Sequence, residues 1–201
     1  MPNVSRINGF RVVKTQSGNN IGVANLYYVA SAADEILVGD IVKHGGTTDA
    51  NGYPTADLAS AGDVPIGVVV GVLHSKFDPA GKMTTGSTSL DLPAATQIAA
   101  SGAGYILVND DPHVIMSVEA SNGTPTAADV GLNASHANGT RTSSTVTSPA
   151  YLDFGTEATT STLNFQILGL EQKVDNEMGA SAKLLVRFNR HQYNSVGTTG
   201  I

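Results

Sequence analysis

The sequence predicts an all-β protein: a single β-barrel or jelly-roll-like β-sandwich domain of about nine strands, with extended N- and C-terminal arms. Gly, Ala, Ser and Thr fill 82 of the 201 positions, and charged residues supply only 14%, against about 25% in an average domain. The apolar residues fall in short β-branched runs bounded by Gly, Asn, Asp and Pro, and helical spacing is nearly absent. A chain of this length buries about 70% of its unfolded surface, enough for a proper core. With no cysteine, stability must come from packing or assembly.

In chain order the runs are residues 10–13, 21–29, 36–42, 66–73, 105–108, 114–118, 151–154, 163–170 and 183–188. Residues 94–100 and 126–130 could each support a turn or two of helix. Asn109-Asp110-Asp111-Pro112 interrupts two runs with residues that bend the chain and refuse to pair, and it reads as a hairpin. Asp49-Ala50-Asn51-Gly52 with Pro54 is a second turn, and residues 79–89 form a longer loop. Residues 135–149 are nearly all polar and read as an exposed excursion. The expected organisation is an N-terminal arm (1–20), a β domain (21–193) carrying that excursion, and a flexible tail (194–201).

Charge placement says more than the net charge of −6. All seventeen acidic residues lie between Asp34 and Glu177, a stretch with only five basic ones, whereas both ends are purely basic. Arg6, Arg11 and Lys14 at one end and Lys183, Arg187 and Arg190 at the other are therefore the candidate contact residues, able to lie on an acidic neighbour. Arg11 and Arg187 stand out, because each sits in an apolar run where its stem can pack while the guanidinium grips a carboxylate. Arg6 and the tail after Tyr193 are expected to stay loose until assembly orders them.

Chemistry-bearing motifs are sparse. Cysteine-based zinc, iron-sulfur and thiolate chemistry is excluded, and there is no His-Glu-x-x-His, Gly-x-Ser-x-Gly or Gly-x-Gly-x-x-Gly. Gly81-Lys82-Met83-Thr84 has Met83 where a phosphate-binding loop needs its magnesium-binding hydroxyl. Asp110, Asp111 and His113 are the densest group of metal-ligand types, but Asp before Pro112 is ordinary turn chemistry. No catalytic residue, cofactor or metal is expected. The acidic balance argues against nucleic acid as a partner. No apolar run approaches a membrane span, and the first residues lack a signal-peptide core, so the chain is expected to stay in the compartment where it is made. A carbohydrate-binding module is the competing reading, although aromatic residues make up only 5% and tryptophan is missing, so tyrosine or phenylalanine would have to supply the stacking platform.

Residues 163–170 (Leu-Asn-Phe-Gln-Ile-Leu-Gly-Leu), 175–180 (Asp-Asn-Glu-Met-Gly-Ala) and 183–192 (Lys-Leu-Leu-Val-Arg-Phe-Asn-Arg-His-Gln) resemble a family of tailed-bacteriophage virion proteins, the head decoration or cement proteins. The resemblance continues, in order, through residues 9–13, 38–42, 66–71, 108–112 and 128–133; where that family usually has proline after the arginine of the first motif, this chain has Val12. It implies a non-enzymatic structural protein on the outer surface of the virion, made in the host bacterial cytoplasm, whose partner is the major capsid protein. A homotrimer is the expected form, since icosahedral lattices offer three-fold junctions in quantity and small uncharged residues let β faces approach closely, with a dimer at two-fold positions as the alternative. A tail-associated β module of the virion is the alternative within that setting.

Overall fold

The computed structural model describes residues 3–16, 24–32, 34–73, 97–141, 147–193, 195–196 and 200. The all-β barrel class stands. The described residues form fifteen strands: β1 (Arg11–Thr15), β2 (Ala24–Val29), β3 (Ile36–Leu37), β4 (Ile41–Thr48), β5 (Pro54–Leu58), β6 (Gly67–Val72), β7 (Gln97–Ile98), β8 (Gly104–Asn109), β9 (Val114–Ser121), β10 (Asn133–Ala137), β11 (Tyr151–Ala158), β12 (Phe165–Leu170), β13 (Lys183–Phe188), β14 (Arg190–His191) and β15 (Ser195–Val196). Among the described residues the only helical element is a 3-10 turn at Ala127–Asp129, whose Asp129 carboxylate accepts the Thr126 N–H and hydroxyl. No helix there is long and apolar enough to cross a membrane.

Apart from the two-stranded pairs β3-β7 and β14-β15, the strands divide between two rings. β2-β5-β4-β6-β8 is a closed barrel, and pairing of β9 with β13 closes β9-β11-β10-β12-β13 on itself, with β1 added on the other side of β9. Taken in chain order, β2, β4, β5, β6 and β8 correspond to β9, β10, β11, β12 and β13. Both rings have the same neighbour order, with β2–β5 and β9–β11 parallel and every other pair antiparallel.

The registers correspond too. Ile41↔Val68 and Val42↔Gly67 in the first barrel match Asn133↔Gln166 and Ala134↔Phe165 in the second. Each barrel has a bulge just before a glycine, between Val69 and Gly71 or between Ile167 and Gly169. A Val-Gly turn enters β4 and β10 alike, with Gly39 at φ 95° and Gly131 at φ 99°, the left-handed geometry a type II turn needs at its third position. In both turns the glycine N–H reaches across the barrel, Gly39 to the Val69 carbonyl at 2.8 Å and Gly131 to the Ile167 carbonyl at 2.9 Å.

Each barrel has its own apolar core. Tyr27, Val29, Val42, Val69, Ile106 and Val108 fill the first, and Met116, Val118, Leu152, Phe165, Leu184 and Val186 fill the second. Phe10 bridges the seam: it belongs to the second core with Ile41 and Val68 of the first barrel's strands and Ala59 just after β5, and stacks on Phe165 at 4.8 Å. A polar staple reinforces the seam, because Arg141 grips Asp40 with two nitrogens at 2.8 and 2.9 Å and Ser148 donates to the same carboxylate at 2.5 Å.

Several expectations are corrected. Residues 109–112 are not a hairpin, because β8 and β9 pair in different barrels and the turn is the link between them. The polar stretch 135–149 is exposed only in part where it is described: Gly139, Thr140 and Thr147 are exposed, but Ser135, His136 and Ser148 are buried, with the two hydroxyls and His136 Nε2 held by seam carbonyls or the Asp40 carboxylate. Within 94–100, residues 97 and 98 form β7 against β3, where the sequence suggested a helical turn. Pro54 opens β5, a position where its missing N–H costs no ladder bond. The loop at 79–89 and most of the tail lie outside the described residues.

Candidate functional site

Sequence alternation builds the most charged face of the second barrel. Along β9, Val114, Met116, Val118 and Ala120 point into the core, so Ile115, Ser117 and Glu119 face outward. Along β13, Leu184, Val186 and Phe188 point inward and Lys183, Leu185 and Arg187 outward. β1 and β13 flank β9 on opposite sides. Lys14, Ile115 and Arg187 therefore form one row, Arg11, Ser117 and Leu185 the next, and Glu119 and Lys183 a third. The two basic ends of the chain meet here.

Two adjoining clefts cross this face. One of about 220 Å³ is lined by Arg11, Ser117, Glu119, Glu171, Lys173 and Lys183. Its neighbour, about 410 Å³, shares Lys173 and Lys183 and adds Arg6, with Asp175 on its wall. The two central carboxylates are already engaged. Glu119, only 3% exposed, accepts the Ser5 hydroxyl and the Arg6 N–H, both at 2.7 Å. Glu171 accepts Ser117 at 2.7 Å and Lys173 at 2.9 Å. Partial burial works against its charge, but Lys173 and Ser117 outweigh that cost and hold its carboxyl below the usual range. What remains for a partner is a cationic rim formed by Arg6, Arg11, Lys14, Lys183 and Arg187.

The sequence-derived contact residues thus divide. Arg11, Lys14, Lys183 and Arg187 share three neighbouring strands, and Arg6 lies at the adjoining cleft. Arg6 is not loose, since its N–H is held by Glu119 while Asn3 bonds the carbonyls of Glu177 and Ala180. Arg187 grips the amide oxygen of Gln166 at 2.7 and 2.9 Å rather than a carboxylate of its own chain. Arg190 is not brought into these rows and donates to the Thr162 carbonyl at 2.9 Å. Lys173, Glu119 and Glu171 escape a reading by charge blocks. Glu119 was findable from strict alternation in 114–121, and Glu171 with Lys173 from their two-residue spacing beside a strand.

The Asp110–His113 turn is satisfied internally. Asp111 accepts the His113 N–H at 2.8 Å, and Asp110 accepts from Asn25 and from the Tyr27 hydroxyl at 2.8 Å. Among the described residues no group of three His, Asp or Glu could hold a metal ion. Gly81-Lys82-Met83-Thr84 lies outside the described residues.

The first barrel has a different face at the equivalent place. Leu26 stands opposite Leu107, and Tyr28 opposite Tyr105 with ring centroids 5.1 Å apart. Tyr53 meets Tyr105 edge-on at 6.0 Å. The Tyr105 hydroxyl donates to Asp49 at 2.5 Å; burial and this bond push the tyrosine up to about 12. Against family models, curated proteins and solved structures, the chain finds no match.

Proposed function

We propose that this chain is a non-enzymatic virion protein that decorates and cements the outside of a tailed-phage icosahedral capsid, as a homotrimer bridging capsomers of the major capsid protein. The observation that carries the reading is the meeting of both basic chain ends on the β1-β9-β13 face, which supports a surface contact rather than an enclosed reaction. The ordered motif resemblance supplies the setting. A single exposed ion pair contributes only about 0.2–1 kcal/mol, but a face repeated in a trimer and over a lattice multiplies the contact. A protein that binds only the closed shell stabilises it by mass action.

The test is charge reversal of Arg11, Lys14 and Lys183 together, followed by binding to undecorated heads across a salt series. The expected result is a loss of at least tenfold in affinity and a flatter salt dependence, with wild-type copy number in purified particles comparable to that of the major capsid protein. Unchanged affinity and salt dependence would remove this face from the reading, and a few copies confined to the tail would sink the cement role. Light scattering showing only monomers or dimers would reject the trimer.

A further inference from the structure

The two barrels share one topology but treat one face differently, and the difference identifies a binding surface. In the second barrel, the outward positions of β9 and β13 pair Ser117 with Leu185 and Glu119 with Lys183. That face is occupied by the chain's own N-terminal segment. Ser5 and Arg6 cap Glu119, and Arg11–Thr15 runs as an extra strand beside residues 114–117. The equivalent positions of the first barrel are the cross-strand pairs Leu26–Leu107 and Tyr28–Tyr105, all four only partly buried. On the edge of β2 away from β8, the described pairing is with β5 at Tyr28↔Thr55 alone. Ala24–Leu26, the counterpart of the β9 edge that takes β1, has no strand beside it among the described residues.

We propose that this face of the first barrel binds an extended polypeptide segment of a partner protein, mixing apolar and basic residues, as an added strand along the edge of β2 that has no strand beside it among the described residues. The second barrel supplies the precedent. Its occupant is itself an extended segment mixing Val4, Ile7, Phe10 and Val12 with Arg6, Arg11 and Lys14. Charge favours the same chemistry in the first barrel, because residues 24–111 carry ten acidic residues against three basic ones, with Asp49 beside Tyr105 and Asp110 beside Asn25 on β2. A free strand edge offers backbone hydrogen bonds that a peptide can match, with pockets for alternate side chains. A sugar is less suited: the three tyrosines pack on one another at 49° and 82° and present no common flat platform. The inference compares one barrel with the other and does not depend on a virion location.

The test uses the intact protein and a labelled synthetic peptide with the sequence of residues 3–16, the segment that fills the equivalent face. Amide NMR shifts confined to residues 24–28 and 104–109 are expected, with binding weakened about tenfold when Leu26→Ser places the second barrel's residue on the first barrel's face. A peptide with Glu at the three basic positions should lose a similar factor, and that arm stands even if the Leu26 variant fails to fold. No binding at millimolar peptide overturns the proposal. So do shifts centred on residues 114–121, which would mean exchange into the second barrel, and so does equal binding of the acidic peptide. Shifts at Tyr28 and Tyr105 from simple oligosaccharides but not from the peptide would replace it with a glycan site.

Discussion

Asp40 has no solvent exposure, yet it accepts from Arg141, Ser148 and the Leu37 N–H, so its charge is compensated from both barrels. Removing one partner of a buried pair leaves the other uncompensated, at a cost of about 3–5 kcal/mol. Asp40→Ala should lower the unfolding free energy by that amount, read as a lower urea midpoint at unchanged slope, and Asp40→Ala with Arg141→Met should cost less than the two single changes added. His136 and His191 carry a second consequence. Both are buried, and each holds a backbone carbonyl with Nε2, Ala59 at 3.0 Å and Ile66 at 2.7 Å. Desolvation pushes both below the ordinary imidazole value, against the pull of the carbonyl and of nearby aspartates. The unfolded chain therefore takes up protons first as pH falls through about 6.5. Stability is full above that pH and lost below it, by up to about 1.4 kcal/mol per pH unit for each histidine. Melting between pH 7 and 5 should show this slope, and His136→Gln should reduce it.

At the scale of elements, the apolar runs found seven of the ten barrel strands and only the first two residues of β4, which the run 36–42 merged with β3, and the two they missed have physical reasons. β10 is Asn133-Ala134-Ser135-His136-Ala137, polar in composition yet buried, because Asn133, Ser135 and His136 bond the carbonyls of Thr160, Ala61 and Ala59. A buried seam between barrels can be polar where carbonyls of the other side satisfy it, and hydrophobicity then gives no signal. β5 was hidden behind the proline of a turn that the sequence did place: Asp49 accepts the N–H groups of Asn51 and Tyr53, and Gly52 sits at φ 86°. The basic residues were legible as two blocks, but their meeting depends on β9 pairing with strands from both ends, and no local pattern encodes that. The Val-Gly turns give an element-scale test. A methyl on Gly39 would strain a φ of 95° and come within 3.2 Å of the Asn8 carbonyl oxygen. Gly39→Ala should cost about 1–3 kcal/mol in equilibrium unfolding, and a loss under half a kcal/mol would mean that the turn is not held as described.

On the scale of the whole molecule, the correspondence of the barrels was hardly visible in the sequence. Matched identities are few: Val38-Gly39 with Val130-Gly131, His44 with His136, Asp57 with Asp153, Gly71 with Gly169, and Leu107-Val108 with Leu185-Val186. A β framework fixes order and register through backbone pairing, so most side chains are free to diverge. One arrangement bears on synthesis. β1 emerges first but belongs to the second barrel, and the whole first barrel is made before β9 appears. At about 5–20 residues per second, Val12 waits on the order of 5–20 seconds on the ribosome for its β9 partner, although Phe10 can already pack on Ile41 and Val68 of the first barrel. For that interval the nascent chain displays a short strand whose pairing partner has not been made, the form of chain that chaperones hold and that neighbouring polysomal chains can capture. Slowing translation across residues 20–110 should therefore lower soluble yield, whereas starting the same message at residue 17 should remove that sensitivity even though the finished protein is less stable.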